Sequence, residues 1–380
     1  MPAQRNEVFD GLKFLLIVLV AVGHFSEPYR YTHSVVLGGY SVIYLFHMPL
    51  FILLSGYFSK QISLEKIGRT INNTWQAYAA MALASIFLVA HDWHYLLSPT
   101  FSNWYLLALV FWKIMLFLLQ KTVRKPALIF CLSLAFVPAS MLLINKSPDV
   151  LCVMRTLCFF PFFVIGALMP ESALKKLRSH RLLLFVLTFL VFVVVYSLGC
   201  RYIHELEWHR RGVYQLSKEY GYGIGWIFLC SLLVYLGSLV VSFTLMSISK
   251  LPQWMCKYGR YSLVFYVLQD VSWNVNKLFP DIPMALQYAW CFLTLLTGVF
   301  LVEKQEQDEN EVKSAISGVV AEALDAFDAM RTREGEALKT DLLQKAEGIL
   351  TLVSKVEERS PITVKAYRER LTAKMQEVLE

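Results

Sequence analysis

Residues 10–27 read DGLKFLLIVLVAVGHFSE, an apolar run that carries one lysine and one histidine inside it. Such a run is typical of a helix that crosses a bilayer, where every backbone polar group has to be paired within the helix. Lys13 and His24 are eleven residues apart, which places them on one helix face about 16 Å apart along the axis. Ionisable side chains are costly inside a bilayer, so both are candidates for function. The alternative interpretation is a snorkelling lysine and a hydrogen-bonded structural histidine.

Further apolar runs of similar length continue to about residue 302. Of 380 residues, 56% are apolar and 17% are charged, whereas soluble domains are about a quarter charged. This composition excludes a soluble enzyme, a disordered chain and a disulfide-rich secreted module. We predict an all-α, polytopic membrane bundle of about ten helices over residues 1–302, followed by a soluble helical tail. The predicted spans are 10–25, 37–58, 76–92, 103–120, 127–145, 150–169, 181–199, 223–248, 260–278 and 284–302.

Basic residues concentrate in alternate loops of this predicted bundle, which indicates its orientation. By the positive-inside rule the loops rich in lysine and arginine face the cytoplasm, so we expect a multi-pass inner (plasma) membrane protein with both termini cytoplasmic. The outer loop 200–222 is an exception, with a mixture of aromatic, acidic and basic residues. That mixture suits a sugar or phosphorylated glycan, or else a solvated loop with an interfacial tryptophan. The residues of the cytoplasmic set are Lys60, Lys66, Arg69, Lys121, Arg124, Lys125, Lys175, Lys176, Arg178, Arg181, Lys250, Lys257 and Arg260.

Other polar groups lie inside the later spans. Arg155, in the predicted sixth span, needs an anionic partner such as a carboxylate or a ligand phosphate. Lys113 lies in the middle of the fourth span and is a candidate for a polar cavity. In the second span, Pro49 is expected to release a backbone carbonyl from the helical pattern, and Gly56 permits close approach of another helix.

Residues 303–380 have a different character. They carry 17 acidic and 12 basic residues, a net charge of −5, whereas the preceding part carries +12. Apolar residues recur every three to four positions, which predicts helix. We expect one long helix at 308–358, with Gly335 as its weakest point, and a second helix at 361–379 that begins at Pro361.

Five stretches of the first part, in order, resemble the acyltransferase-3 family of integral membrane O-acyltransferases. The first two indicate the fucose 4-O-acetylase-like subgroup within it. One departure is Gln269, where many members carry a histidine. The stretches are LKFLLIVLVAVGHFSEPYR, YLFHMPLFILLSGYFSK, WYLLALVFWK, RTLCFFPFFVIGALM and KYGRYSLVFYVLQ.

The resemblance implies an enzyme that moves an acyl group, usually acetyl from acetyl-CoA, to a sugar hydroxyl of a cell-envelope or exported glycan. His24 would be the general base or the histidine that faces the thioester, since imidazole titrates near neutral pH. Lys13 would meet the phosphates or the thioester end of CoA, and Arg69 and Arg155 would contact phosphates or stabilise the oxyanion. The remaining implied positions, which would line the substrate cavity, are His47, Ser55, Trp104, Tyr105 and Glu27.

The partners expected are acyl-CoA, a glycan or lipid-linked sugar acceptor, and the lipid bilayer. No tightly bound cofactor, metal or nucleic acid is expected, and the seven cysteines show no metal-ligand spacing. A transporter or flippase of glycan or lipid precursors, or an inactive sensor or scaffold, is the alternative. Secondary transporters usually show inverted repeats, and the sequence has no convincing internal repeat.

The tail resembles the middle of the YicC family of endoribonucleases, through FDAMRTREGEALKTDLLQKAEGI and VKAYRERL. Only a fragment of that family is expected here, and its net negative charge does not favour RNA binding. The tail is therefore interpreted either as a fused or recombined reading frame or as a native helical extension.

Overall fold

A computed structural model describes residues 6–90, 103–123, 125–143, 150–199, 217–218, 220–279, 282–305 and 309–379. The chain divides into two compact units, Met1–Lys304 and Gln305–Glu380. Helices dominate, and no strand occurs within the ranges just given. The expectation for the outer loop 200–222 falls largely outside the described residues.

The first unit contains twelve named helices within its described ranges, and a thirteenth follows. Short 3₁₀ turns at Glu27–Tyr29 and Val150–Cys152 and a π-helical turn at Ile86–Ala90 join some of them. The helices are α1 Glu7–Ser26, α2 Ser34–Tyr57, α3 Leu64–Ser85, α4 Trp104–Thr122, α5 Pro126–Leu143, α6 Val153–Leu168, α7 Glu171–Ser179, α8 Arg181–Gly199, α9 Ile224–Ser247, α10 Gln253–Gly259, α11 Ser262–Asn276, α12 Met284–Gln305 and α13 Glu309–Leu379.

The predicted all-helical class is confirmed for the described residues, but the count of about ten spans is not. Six helices of the described part are long and apolar enough to cross a membrane: α1 with its 3₁₀ extension, α2, α4, α8, α9 and α12. A seventh is reached if α6 and α7, which bend by 96° at their junction, form one span. The difference arises at α3, which begins in the polar stretch after Ser63, and at α5 and α11, which are short.

Helix α2 packs against α1, α6, α8 and α9 and forms the centre of the first unit. Its contact with α6 is closest at two glycines. A Cβ atom on Gly56 would collide with the carbonyl of Phe163, and one on Gly166 would collide with the carbonyl of Leu53. The close approach predicted for Gly56 is thus confirmed, and the partner helix is α6.

Pro49 lies inside α2 and has no N–H to donate to the carbonyl of Leu45, four residues earlier. The hydroxyl of Ser238, on α9, donates to that carbonyl at 2.6 Å. A hydroxyl from a neighbouring helix is a recognised way to satisfy a carbonyl freed by proline inside a membrane. The proline therefore creates a specific link between α2 and α9.

The tail is one continuous helix, α13, so the prediction of two separate helices was wrong. The helix runs through Gly335 and Pro361. Glycine in a helix interior costs about 1 kcal/mol and proline about 3 kcal/mol. The flanking residues, rich in Ala, Leu, Glu, Lys and Arg, are strong helix formers on both sides, and they carry the helix across both positions.

Candidate active site

His24 lies in the last turn of α1 and is buried against α11. Its Nδ1 forms a 2.9 Å hydrogen bond with Oε1 of Gln269, a fully buried residue. The amide nitrogen of Gln269 donates to the carbonyl of Tyr266 at 3.1 Å, which is consistent with the amide oxygen facing the imidazole. An amide oxygen only accepts, so Nδ1 carries the proton and Nε2 is the nitrogen with the lone pair. This is the tautomer that a base acting through Nε2 requires.

Buried polar side chains continue along α11 from Gln269, and we call Tyr266, Gln269, Asp270 and Asn274 the α11 polar group. The side-chain amide of Asn274 donates to Asp270 at 3.4 Å and to the hydroxyl of Ser85, on α3, at 3.2 Å. Asp270 also interacts electrostatically with Tyr266, on the same helix. None of these four α11 side chains was assigned a site role from sequence, although Gln269 was noted as a departure from the family pattern.

Lys13 lies at the opposite end of the same face of α1. Its ammonium pairs with Asp10 at 3.1 Å and lies 4.7 Å from the centre of the Phe58 ring. Gly259, at the end of α10, packs directly on the carbonyl of Asp10. Lys13 is thus held beside the end of α2 rather than left as an extended surface side chain.

Phe58 also lines a cavity of about 250 Å³. Three cationic side chains contribute to that cavity. Lys113 reaches it from α4 and donates to the hydroxyl of Thr70 at 2.6 Å, and Arg69 pairs with Glu65 at 2.6 Å. The lining residues are Phe58, Ser59, Gln61, Ile62, Lys66, Arg69, Thr70, Asn73 and Lys113. We call this the basic pocket.

Arg155 lies away from the basic pocket. Its guanidinium is 5.6 Å from the ring of Trp104, and it interacts electrostatically with Tyr266. Trp104 and Lys113 are nine residues apart on α4, about 14 Å along its axis. The structure therefore places Arg155 toward the α11 polar group and Arg69 in the basic pocket, so the two arginines proposed for one ligand lie at different levels.

Ser55 and Tyr105 lie together. Ser55 donates to the carbonyl of Phe51 at 2.9 Å and accepts a hydrogen bond from the Tyr105 hydroxyl at 2.6 Å. The Tyr105 ring packs 6.0 Å from that of Tyr266, so this pair borders the α11 polar group. The hydroxyls link α2 to α4 there.

The two remaining predicted positions lie near His24 in sequence or space. Nδ1 of His47 donates to the carbonyl of Ile43 at 2.8 Å, and His47 interacts electrostatically with His24. Glu27 follows α1 and lies 3.7 Å from the guanidinium of Arg30. Across the described residues, no group of three or more His, Cys, Asp and Glu side chains is arranged to hold a metal ion.

The first unit thus holds a buried polar site inside a bundle of apolar helices, several of which are long enough to cross a membrane. Comparison with known families shows the protein family to which this bundle belongs. The family model described as "Acyltransferase domain" matches residues 6–304. That is most of the chain, which therefore belongs to this acyltransferase-3 family of membrane acyltransferases. No solved structure matches the chain.

Among curated proteins, the chain is similar to the nodulation protein NolL of two bacteria. The chain is 46% identical to NolL of Sinorhizobium fredii over 56 residues, which is 14% of this chain and 15% of that protein. It is 43% identical to NolL of Mesorhizobium japonicum over 65 residues, 16% of this chain and 17% of that protein.

The C-terminal part is similar to a different family. The model for the N-terminal region of YicC-like endoribonucleases matches residues 269–340. The chain is 28% identical over 117 residues to the probable endoribonuclease YicC of Clostridioides difficile, 30% of this chain and 34% of that protein. The resemblance is confirmed. The match was expected to begin at Glu303 or a few residues earlier, near Gly298, but it begins at residue 269 and falls in the family's N-terminal region rather than its middle. The chain spans about a third or less of each of these curated relatives.

Proposed function

We propose that the protein transfers an acetyl group from acetyl-CoA to a hydroxyl of a cell-envelope or exported glycan, with His24 as general base. The observation that carries this proposal is the hydrogen bond between His24 and Gln269, because it leaves the Nε2 lone pair of a buried imidazole as the basic site. Imidazole is suited to proton transfer at neutral pH. The family membership supports the reaction class, and the remaining details rest on the site.

The basic pocket is the proposed site for the phosphates of CoA. Lys66, Arg69 and Lys113 supply positive charge to a cavity whose edge is marked by the ring of Phe58 and the ammonium of Lys13. Charge-assisted hydrogen bonds from such groups are the strong contacts made to phosphate. The positive-inside pattern assigns this end to the cytoplasm, where acyl-CoA is made.

The donor has to reach from the basic pocket to His24. Lys13 and His24 are separated by about 16 Å along α1, and the extended pantetheine arm of CoA is the part of the donor that bridges this separation. The thioester carbonyl would then lie at the level of His24, Gln269 and the α11 polar group. Arg155, held beside Trp104 and Tyr266, is proposed to stabilise the oxyanion there.

The chemical step follows from this arrangement. Nε2 of His24 takes the proton of the acceptor hydroxyl, and the oxygen attacks the thioester carbonyl to give a tetrahedral intermediate. Its collapse forms the new C–O ester bond and breaks the C–S bond. The imidazolium returns its proton to the CoA sulfur, so the products are the O-acetylated glycan and CoA, and His24 is restored.

The acceptor is proposed to enter from the outer face, where Glu27 follows α1 and Trp104 begins α4. From the charge pattern of the loops, both termini are proposed to lie in the cytoplasm and the bundle in the inner membrane. His47, Ser55 and Tyr105 are proposed to shape the cavity, since each is held by a specific hydrogen bond near the site.

Membranes containing the protein, supplied with acetyl-CoA radiolabelled in the acetyl group and with envelope glycan or its lipid-linked precursor, test this proposal. We expect label to enter the glycan with the parent protein and not with His24→Ala. His180→Ala, at the exposed end of α7, is the matched control and should transfer label as the parent does. No transfer by an inserted parent protein would refute the enzyme and favour a transporter or scaffold.

A further inference from the structure

Gln269 and His24 come from helices that are distant in sequence, and both side chains are buried where they meet. The geometry of Gln269 is fixed twice. Its amide oxygen accepts from Nδ1 of His24, and its amide nitrogen donates to the carbonyl of Tyr266 one turn earlier on α11. A rotated amide would place its nitrogen against Nδ1 and lose the bond to Tyr266.

A buried glutamine with a purely structural role could form its hydrogen bonds with any available polar group. Here the partner is the ring nitrogen opposite to the proposed basic one. Among the neutral forms of imidazole, the hydrogen bond at one nitrogen determines which tautomer is present. In metal sites, the partners that orient a ligating histidine typically change metal affinity or activity by about 10–100-fold when mutated, and we expect an effect of this size for a partner that orients His24.

We propose that Gln269 is the positioning residue of the site: its amide oxygen holds His24 in the Nδ1–H tautomer and aims Nε2 at the acceptor hydroxyl. This inference rests on the proposed function. Gln269 touches neither donor nor acceptor in this role, so its effect passes entirely through His24. Ionisable groups that act on His24 among the described residues include His47, from α2, and Lys277, which follows α11; neither is the Nδ1 partner seen here.

The proposal predicts that substitutions of Gln269 differ in effect according to whether they keep an oxygen acceptor within reach of His24. Glutamate retains an oxygen acceptor at the same reach, whether or not it is ionised. Asparagine retains the amide but is one methylene too short to hold the imidazole from the same backbone position. Leucine keeps the approximate size and removes the acceptor.

The experiment measures kcat and KM for acetyl-CoA with Gln269→Leu, Gln269→Asn and Gln269→Glu in the full-length protein. We expect kcat to fall about 10–100-fold in the first two, with KM for acetyl-CoA unchanged, and to be largely restored in Gln269→Glu. Gln287→Leu, at a buried glutamine on α12 that bonds the carbonyl of Ile282, is the matched control and should leave both constants unchanged.

A second comparison separates positioning from general packing. In a His24→Ala background, Gln269→Asn should lower the residual rate no further, because the group through which it acts is already gone. Parental kcat in Gln269→Asn, an additional loss in the His24→Ala background, or failure of Gln269→Glu to restore kcat would each overturn the proposal. If Gln269→Leu does not insert, the asparagine and glutamate variants decide. Inactivity of the inserted parent would instead refute the proposed function and this inference with it.

Discussion

The imidazole of His24 and the amide oxygen of Gln269 meet at 2.9 Å although 245 residues separate them in the chain. This contact joins the first helix of the bundle to α11, where Asp270 and Asn274 continue the buried polar group. It also determines which imidazole nitrogen can act as a base. The contact therefore ties the assembly of the bundle to the chemistry proposed for it.

The basic pocket should act on the nucleotide part of CoA rather than on the transferred group. Arg69→Gln and Lys113→Met should each raise KM for acetyl-CoA about tenfold with kcat little changed. A charge-assisted hydrogen bond contributes about 1.5–3 kcal/mol, and 1.4 kcal/mol corresponds to a factor of ten. Initial rates of CoA release over a range of acetyl-CoA concentrations measure this effect.

An acetyl-pantetheine donor, which lacks the nucleotide and its phosphates, provides the control. Its turnover should be equally slow in the parent, Arg69→Gln and Lys113→Met. Lys175→Met, on α7 and outside the pocket lining, should leave KM for acetyl-CoA unchanged. Equal losses with both donors would place these cations outside the phosphate site.

The contact between α2 and α6 should be intolerant of a single methyl group. Gly56→Ala and Gly166→Ala each place a Cβ against a backbone carbonyl of the other helix, which cannot move without shifting the helix. We expect each to destabilise the bundle by about 3 kcal/mol, at the upper end for overpacked cores, and to lower the unfolding midpoint in detergent. Gly39→Ala, on α2 with no atom of the described residues within 4 Å of its added methyl, should have no such effect; an equal loss there would contradict this packing.

The hydroxyl of Ser238 should matter only because residue 49 is proline. Ser238→Ala removes the donor to the carbonyl of Leu45 and should cost about 1–3 kcal/mol, the penalty for an unsatisfied buried acceptor. In a Pro49→Ala background the restored backbone N–H satisfies that carbonyl, so the same change should cost much less.

Unfolding of the two single variants and the double variant in detergent gives the coupling free energy. Ser231→Ala, on the same helix and bonded to the carbonyl of Ile227 in its own helix, should show no coupling to position 49. Additive effects of Ser238→Ala and Pro49→Ala would disprove the link between α2 and α9.

The orientation can be tested at the two ends of the chain. Reporters that function only in the cytoplasm, fused before residue 1 and after Glu380, should both be active. The predicted ten spans bring the two ends of the chain to the same side, whereas any odd number of spans separates them. An inactive cytoplasmic reporter at the C-terminus of an inserted protein would show that the number of spans is odd and that the charge pattern misplaced the C-terminus.

Much of the fold could be predicted from local sequence. The run containing Lys13 and His24 identified α1, and apolar length alone identified α2, α4, α8, α9 and α12. The extra predicted spans lie at α3, α5 and α11. Helix α3 begins in a polar stretch, and α5 and α11 are short. Helix α3 begins at Leu64, twelve residues before the predicted span, because Ser63 caps its first turn and the polar residues after it remain helical. Continuity of α13 through Pro361 was missed because a proline was read as a start signal.

The site was predictable only where one residue is anomalous by itself. His24 and Lys13 stand out because ionisable groups are rare in apolar runs. Gln269 does not, since its role depends on a contact with a distant helix. Sequence spacing gives no relative depth for Arg69 and Arg155, because they lie on helices that are far apart in sequence. Their different depths in the bundle are seen only in the structure, where Arg69 lines the basic pocket together with Lys113 and Arg155 lies beside Trp104.

The most direct measurement separates donor binding from transfer in one variant. His24→Ala, purified in detergent beside the parent, is titrated with a non-hydrolysable acetyl-CoA analogue and then followed through a single turnover with acetyl-CoA and glycan. If His24 is the base and the basic pocket holds the donor, the variant will bind the analogue with parental affinity and form no acetylated glycan. Transfer at the parental rate by His24→Ala, or loss of analogue binding in that variant, would contradict the roles assigned to the two ends of α1.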